Sequence, residues 1–411
     1  ARLRDICMMS AGKSKSTDQI KSEPFEGSYP CFGGNGVRGY VDEYNQDGIF
    51  SIVGRQGALC GNINIAIGKF YATEHAVVTT LFDGIDFKWS NYILEALRLN
   101  NYATGAAQPG LSVANILNVF VPVPPTQEQD RIGNNVYESL KIVEALEQEK
   151  IDLQKIIITA KTKILDLAIR GKLVPQDPND EPASVLLERI RTEKEELIKQ
   201  GKIKRDKKES VIFKGDDNSY YLRTGRVEES LEDWRFDDLP ETWKICCLGE
   251  LCDYGDCINV NTEDIAEDAW ILDLEDIEKD TGTVLKKVTK DQRNSVSTKH
   301  KFHSGQVLYS KLRPYLNKVV LSDADGYCTS EILPLEFKNC VLPEYARYYL
   351  MSGTFIAYAN HCSYGVKMPR LGTTDGKKAI FSLPPLSEQK RIVETIDFCF
   401  VQLNKISEAL A

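Results

Sequence analysis

One nine-residue block occurs twice in this chain. It reads Pro-Pro-Thr-Gln-Glu-Gln-Asp-Arg-Ile at residues 124–132 and Pro-Pro-Leu-Ser-Glu-Gln-Lys-Arg-Ile at residues 384–392, 260 residues later. Each copy follows a β-rich segment, and its two prolines end an extended run because proline lacks an N–H and fixes φ. Thr126 and Ser387 are expected to cap the helix that each copy opens. A period this long predicts a duplicated domain rather than a solenoid of short repeats.

Further matches extend the duplication upstream, and their offset shrinks toward the N-terminus, which indicates loop insertions between shared elements. They are Gln108–Leu111 with Met368–Leu371 at 260, Tyr71–Thr73 with Tyr327–Thr329 at 256, and Leu3–Cys7 with Leu248–Cys252 at 245.

A long helical pattern follows the first block. Val136, Val143, Ile157 and Ile164 share one heptad position, and Leu146, Leu153, Ala160 and Leu167 share another. Apolar residues at these spacings predict a coiled-coil seam. Residues 128–168 supply 41 positions for this helix, whereas 24 remain from Glu388 onward. Either the second helix is short or the ends of the chain have been trimmed.

Composition narrows the class of protein. The chain has 42% hydrophobic and 27% charged residues, which is ordinary for a globular protein, and no run of 18 apolar residues that would predict a membrane helix. Eleven cysteines without a Cys-x-x-Cys pair indicate reduced thiols and a cytoplasmic location. His300 and His303 are expected on the surface rather than in a zinc site. A net charge of −9 argues against non-specific coating of nucleic acid, although a local basic face remains open.

Several short motifs favour structural interpretations. Residues 34–39 satisfy Gly-x-Gly-x-x-Gly but lack the flanking strand and helix of a dinucleotide site, so we expect a turn or a ligand-facing loop. The acidic stretch 175–182 is expected to be a helix-capping loop, and the basic run 202–208 a solvated linker or a phosphate contact. A Walker A pattern and an Asn/Asp-Pro-Pro-Tyr methyltransferase motif are both absent from the sequence.

These features together resemble the DNA specificity (S) subunit of type I restriction–modification systems. The resemblance rests on both Pro-Pro-x-x-Glu-Gln-x-Arg-Ile blocks, on Ala168–Ala183 followed by Leu187–Ile190, and on Gly33–Gly36, Arg55–Ala58 and Ser310–Tyr315. It covers nearly the whole chain, and the mild acidity and the short second helix are departures from it.

The resemblance implies an α+β fold in which two duplicated α/β target-recognition domains are separated by long helices that form an antiparallel coiled coil. The expected boundaries are 1–127 for the first recognition domain, 128–170 for the first spacer helix, 171–240 for a linker with a short amphipathic helix, 241–387 for the second recognition domain and 388–411 for the second spacer helix.

The resemblance also implies a function and partners. Each recognition domain would read half of a bipartite site in double-stranded DNA, and the helices would set the spacing. Two modification (adenine methyltransferase) subunits and restriction (endonuclease and translocase) subunits would dock, with S-adenosylmethionine, ATP and Mg²⁺ only on those partners and no catalytic residue, cofactor or metal on this chain. The isolated chain could form a homodimer. The alternative is a coiled-coil adaptor that binds only protein, which would not explain two β-rich domains with Arg-bearing loops.

The candidate DNA-binding residues are loop side chains that can contact phosphates or base edges. For each of them, an ordinary solvent-exposed role is an equally good interpretation. In the first domain they are Lys13, Lys15, Asn35, Arg38, Arg55, Gln56 and Gln108, and in the second Lys311, Arg313, Tyr315, Tyr364, Lys367 and Arg370. Arg313 and Arg370 lead, because each lies beside a proline in a duplicated segment.

Overall fold

The computed structural model describes residues 1–57, 59–105, 109–203, 210–217, 219–231, 239–293 and 296–410. Gln108 and residues 204–208 of the basic run lie outside the described residues. The chain forms two compact units, unit 1 (Ala1–Lys150) and unit 2 (Ile151–Ala411). Both combine helices with sheets, so the expected mixed fold is confirmed. The helix α3 (Thr126–Ala168) begins in unit 1 and ends in unit 2.

Unit 1 is built on one six-stranded sheet. Its strands are β1 (Cys7–Ala11), β2 (Tyr29–Gly33), β3 (Gly36–Val41), β4 (Gln46–Gly54), β5 (Ile63–Ala72) and β6 (Ala76–Leu81). They lie in the order β1-β6-β4-β5-β2-β3, and only β2 and β5 pair in parallel. Gly34 and Asn35 form the tight turn from β2 to β3, with Gly33 paired to Gly36. The expected turn is therefore present in the first half of the Gly-x-Gly-x-x-Gly motif, whereas residues 36–39 lie in β3.

Both faces of this sheet carry buried side chains, because successive side chains along a strand point to opposite faces. Ile52 joins the buried cluster that contains Phe70, whereas its neighbour Val53 joins the cluster that contains Trp89. Trp89 lies on the helix α1 (Phe87–Ala96), and the short helix α2 (Val113–Ile116) packs on the same side. Burial of such a side chain contributes roughly 1.5–3 kcal/mol to folding.

Unit 2 contains more and shorter elements. After α3 they are α4 (Ala183–Lys199), β7 (Ser210–Lys214), β8 (Tyr220–Thr224), β9 (Val227–Ser230), β10 (Lys244–Cys247), α5 (Leu248–Leu251), β11 (Ile258–Val260), β12 (Trp270–Leu272), β13 (Val288–Thr289), β14 (Lys299–Phe302), β15 (Val307–Ser310), β16 (Val319–Leu321), β17 (Gly326–Thr329), β18 (Ile332–Leu335), α6 (Pro343–Leu350), α7 (Gly353–His361), α8 (Thr373–Lys378), β19 (Ile380–Leu383) and α9 (Leu386–Ala409). The strands form sheets β10-β19, β11-β14-β17-β12-β13, β16-β15-β18 and β7-β8-β9.

Within unit 2, the end of α3 and α9 lie side by side in antiparallel orientation. Ser382, just before α9, donates to the carbonyl of Ile169, whereas Lys161 donates to Asn404 near the other end of α9. Ile157 on α3 is buried, but Val143 and Leu146 of the predicted seam are 49% and 58% exposed. The heptad pattern is therefore covered over only part of its length in the part of the chain that the structure describes.

The glutamine of the repeated block ties each helix to its own domain in the same way. Gln129 accepts from the backbone N–H of Asp86, the residue that caps α1, and donates to the carbonyl of Pro124. Gln389 accepts from the N–H of Leu342, just before α6, and donates to the carbonyls of Pro384 and Cys340. Both glutamines are buried, so the duplicated block fixes the direction in which each helix leaves its domain.

The structure contradicts three local expectations. Thr126 Oγ1 donates to the carbonyl of Gly84, and α9 begins after Pro385 without a side-chain cap. The two residues do not cap, because α3 begins at Thr126 and α9 at Leu386, which places Thr126 and Ser387 inside the first turn. The stretch 175–182 does not cap α4, since Asp180 instead binds Arg391 on α9. His300 is buried rather than exposed, with Nδ1 2.8 Å from the carbonyl of Ile332, whereas His303 is exposed.

The remaining sequence expectations concern thiols, metals and membranes. All eleven cysteines are described and carry thiols rather than disulfides, and burial raises the pKa of Cys7 and Cys340 to about 11. Among the described residues, His, Cys, Asp and Glu side chains do not gather in a group of three that could hold a metal. Within the same part of the chain, every helix is too short or too polar to cross a membrane.

Candidate nucleic-acid interface

Each unit presents a loop whose ends are paired and docked on the end of a central strand. In unit 1 this is loop 1 (residues 104–110), where Thr104 and Gly110 exchange two backbone hydrogen bonds of 2.9 Å. The chain that leaves β4 lies against it. Gly57 donates to the carbonyl of Pro109 at 3.0 Å, and Leu111 donates to the carbonyl of Arg55 at 2.8 Å.

Loop 2 (residues 364–370) in unit 2 repeats this arrangement bond for bond. Tyr364 and Arg370 exchange backbone hydrogen bonds of 3.1 and 3.0 Å. The chain that leaves β15 donates from Arg313 to the carbonyl of Pro369 at 2.7 Å, and Leu371 donates to the carbonyl of Lys311 at 3.0 Å. The backbone hydrogen bonds that hold the ends of each loop, here called the frame of the loop, are therefore equivalent in the two units, while the residues of the two loops differ in sequence.

The strand ends match in backbone conformation and in charge. Gly57 and its counterpart Arg313 both have positive φ, at 92° and 50°. A non-glycine residue in this region is strained, and such strain often accompanies a functional role. Arg55 and its counterpart Lys311 place a cation beside the loop in both units.

In unit 1, three of the candidate residues line one shallow groove of about 590 Å³. Asn35, Arg38 and Gln56 border it together with backbone of the β2–β3 turn. All three side chains are exposed, and Asn35 is oriented by a hydrogen bond from Asn62 at 2.9 Å. The groove combines an amide, a guanidinium and close backbone approach, which suits contact with a polar ligand edge.

The two lysine candidates of unit 1 lie apart from that groove. Lys15 is only 10% exposed, because its ammonium group binds Glu43 at 2.5 Å and lies over the ring of Tyr71. The hydrogen bond to Glu43 is the main cause that raises the pKa of Lys15. Its charge is therefore already compensated within the domain. Lys13 is exposed beside β1 and keeps its charge available.

Loop 2 presents an exposed apolar tip with one cation. Tyr364 and Val366 are 62% and 101% exposed, and Lys367 between Val366 and Met368 is also exposed. Tyr315 from the neighbouring strand end is 50% exposed. Large apolar side chains in such a position are unusual unless they contact a partner.

Arg370 serves the loop rather than its tip. Its guanidinium binds both carboxylate oxygens of Glu331 at 2.8–3.1 Å and the carbonyl of Met368 at 3.1 Å. The hydrogen bonds to Glu331 are the main cause that raises the pKa of Arg370. These hydrogen bonds fix the base of loop 2 to the turn just before β18, so Arg370 is a positioning residue in this structure. Arg313 is half-buried, and its Nε atom is buried without a hydrogen-bond partner among the described residues.

Sequence reasoning missed Val366, Met368 and Glu331. Val366 and Met368 were overlooked because only polar donors were considered. The duplication itself contains the signal that could have found them, since loop 1 and loop 2 align at the same 260-residue offset and share only one glycine and one proline. Glu331 could not be found from sequence, because it meets Arg370 only through the fold.

Comparison with known proteins gives one consistent family. The family model for the type I restriction modification DNA specificity domain matches residues 1–160 and 240–409. The specificity subunit of type I restriction enzyme EcoprrI from Escherichia coli is 50% identical over 123 residues, which are 29% of this chain and 31% of that protein. The EcoAI specificity subunit, also from Escherichia coli, is 28% identical over 342 residues, 70% of this chain and 54% of that protein. The chain thus spans one third to one half of the length of these relatives.

A solved structure shares the fold. The HsdS subunit from Thermoanaerobacter tengcongensis aligns over 100% of this chain and 91% of its own, with a TM-score of 0.53 and 14% sequence identity.

Proposed function

This chain belongs to the type I restriction modification DNA specificity domain family, and we propose that it is the DNA sequence-specificity subunit of a type I restriction–modification complex. Each unit reads one half of a bipartite site. The observation that supports this proposal is the equivalence of loops 1 and 2, whose ends are held by the same backbone hydrogen bonds although the two loops differ in sequence. One frame used twice with different side chains is what two different half-sites require.

The chemistry of the loops suits base reading in the major groove. A two-stranded ribbon fits that groove, where Arg or Lys can bond guanine, Asn or Gln can bond adenine, and apolar side chains can contact the thymine methyl group. Loop 2 offers Lys367 beside Val366 and Met368, and unit 1 offers Asn35 and Gln56. Lys13, Arg55 and Lys311 supply phosphate contacts, which position the protein without specifying sequence.

The helix α3 serves as the ruler. Its 43 residues give a length of about 65 Å at 1.5 Å per residue. The buried glutamines Gln129 and Gln389 tie the helices to their domains, so a change in helix length would be transmitted to the reading loops. Stiff spacing between two readers fixes the separation of half-sites, as dimer geometry does for two-fold DNA-binding proteins.

Catalysis is assigned to partner subunits. Two modification subunits and the restriction subunits dock on this chain and bring S-adenosylmethionine, ATP and Mg²⁺, and the complex works in the cytoplasm. This chain contributes recognition alone. A protein-only adaptor would not explain two β-rich domains that present equivalent loops with cations beside them.

The proposal is tested with the full chain bound to its modification subunits. Methylation of a duplex library in which both half-sites are randomised should yield one bipartite sequence. A variant with Ala-Ala-Gln, the centre of loop 1, at Val366, Lys367 and Met368 should change one half of that sequence and leave the other intact. Methylation without sequence preference, or a variant with an unchanged site, would refute the assignment.

A further inference from the structure

The two units carry different residues beside the cation at the end of the central strand. In unit 2 this neighbour is Glu331, whose backbone carbonyl accepts from the N–H of Lys311 at 3.0 Å. In unit 1 the carbonyl of His75 accepts from the N–H of Arg55, the counterpart of Lys311, at 2.9 Å. His75 and Glu331 also follow the threonine of the shared Tyr-x-Thr segment at the same spacing, so the two positions are equivalent.

The loop residue that faces this position has changed as well. In unit 2 the carboxylate of Glu331 binds the guanidinium of Arg370 at 2.8–3.1 Å. The counterpart of Arg370 in loop 1 is Gly110. A Cβ at Gly110 would lie 3.7 Å from Cγ of Gln56, which is ordinary van der Waals contact, and Gly110 does not have a positive φ. Neither the backbone conformation nor a lack of space therefore accounts for this glycine, which gives His75 no side chain to bind.

His75 instead borders the shallow groove of unit 1, together with Asn35, Arg38 and Gln56. Its side chain is 38% exposed, and its Nε2 atom lies 3.5 Å from a carboxylate oxygen of Glu74. Glu74 orients the imidazole without covering it. A neutral imidazole always carries one N–H donor, and a protonated one carries two.

The other polar groups of the groove are also donors in their present orientation. The amide oxygen of Asn35 accepts from Asn62 at 2.9 Å, so the amide N–H groups of Asn35 are the part left for a ligand. Arg38 donates to Thr17 through one nitrogen at 3.2 Å and has further N–H groups. In the major groove, guanine is the base that presents two adjacent acceptors, N7 and O6. The donors of the groove therefore match the edge of a guanine.

We propose that His75 is a specificity-determining residue of unit 1, which donates a hydrogen bond to N7 of a guanine, while Asn35 and Arg38 supply donors for O6. This inference rests on the proposed function, in which each unit reads one half-site. In unit 2 the side chains at the two equivalent positions, Glu331 and Arg370, bind each other, and that unit reads with the tip of loop 2. The units thus share the frame of their loops but read DNA with different parts.

The test uses the full chain with its modification subunits and duplexes that carry the selected bipartite site. The half-site of unit 1 is the half that the loop 2 variant leaves unchanged. Each guanine of that half, on either strand, is replaced in turn by 7-deazaguanine, which has C–H in place of N7. Anisotropy should show that binding weakens roughly fivefold at one guanine, since one hydrogen bond is lost.

Variants of the chain then assign this effect to one side chain. His75→Ala should weaken binding of the normal duplex by a similar factor and should bind guanine and 7-deazaguanine equally at that position. Its response to changes in the half-site of unit 2 should stay as in the unaltered chain, which shows that the variant is folded. The matched control is His303→Ala, because His303 is an exposed histidine of unit 2 that lies 2.8 Å from Glu336. It should keep the full sensitivity to 7-deazaguanine.

A second variant transplants the side chains of unit 2 into unit 1. His75→Glu combined with Gly110→Arg supplies the same two partners, and it should also abolish the distinction between guanine and 7-deazaguanine. The inference is overturned if the half-site of unit 1 lacks a guanine that is sensitive to 7-deazaguanine, or if either variant keeps that sensitivity. These outcomes leave bipartite reading intact, whereas methylation without sequence preference by the unaltered complex would refute the proposed function itself.

Discussion

Arg313→Gly separates the backbone role of this position from its side-chain role. Arg313 has φ 50° and ψ 66°, and this left-handed conformation costs an L-residue about 1–2 kcal/mol. Glycine relieves that cost, but the greater conformational entropy of its unfolded state lowers the free energy of unfolding by about 0.5–1 kcal/mol. Since Gly57 occupies the equivalent position at φ 92°, the frame tolerates glycine. We expect the free energy of unfolding to change by less than about 1 kcal/mol.

The side chain matters for recognition instead. Loss of one guanidinium contact to a base or phosphate weakens binding by about 1–3 kcal/mol, or roughly 5- to 150-fold. Affinity of the full chain with modification subunits should therefore fall for duplexes that carry the half-site read by unit 2. Arg313→Ala should lose the same affinity and should be the less stable of the two variants, because alanine keeps the strained φ.

Chemical denaturation measures stability, and anisotropy with duplexes altered in one half-site at a time measures recognition. Arg98→Gly is the matched control, since Arg98 is an exposed arginine of unit 1 with φ 46°. It should leave the half-site of unit 2 untouched. The reasoning fails if Arg313→Gly unfolds the protein, or if both half-sites are bound as tightly as before.

Three further predictions rest on described contacts. Arg370→Ala and Glu331→Ala should each weaken recognition of one half-site. The double variant should bind no more weakly than either single variant, because both residues act through the same partly exposed ion pair. Additive losses of binding free energy in a double-mutant cycle would contradict this. Gln389→Ala should lower the free energy of unfolding by about 2–3 kcal/mol, because it leaves the N–H of Leu342 and two carbonyls without their hydrogen-bond partner. Urea denaturation measures this change, and an unchanged midpoint would refute the prediction. Burial lowers the pKa of His300. The stability that its neutral form contributes is therefore complete above about pH 6.5 and is lost as the pH falls through the lower folded-state pKa. His300→Asn, which can still donate to the carbonyl of Ile332, should flatten this pH dependence in thermal melts from pH 7 to 5, and an equal slope in both proteins would exclude the prediction.

Ion pairing within each unit is a feature of the candidate residues that the sequence did not show. Lys15 and Arg370 look like free cations in the sequence, yet Glu43 and Glu331 hold them. Glu331 is 39 residues from Arg370, and only the meeting of β18 with loop 2 brings them together. Sequence patterns record residue types and spacing, so they cannot show which charges are already compensated.

The stretch 175–182 shows the same limit. Its prolines and acids are typical of a loop before a helix, and α4 does begin at Ala183. Its partner is nevertheless Arg391, which is 211 residues away from Asp180. Local signals predicted that a loop is present, and long-range charge and burial decided its role.

The sequence by itself determined the duplication, the mixed fold and the long helix, because these follow from repeated blocks and from the periodicity of apolar residues along the chain. The tertiary structure alone decided that the ends of loops 1 and 2 are held by the same backbone hydrogen bonds, and that Asp180 pairs with Arg391 and Glu331 with Arg370. The physical reason is that backbone pairing, burial and ion pairing depend on contacts between residues far apart in the chain, and a linear pattern does not specify those contacts.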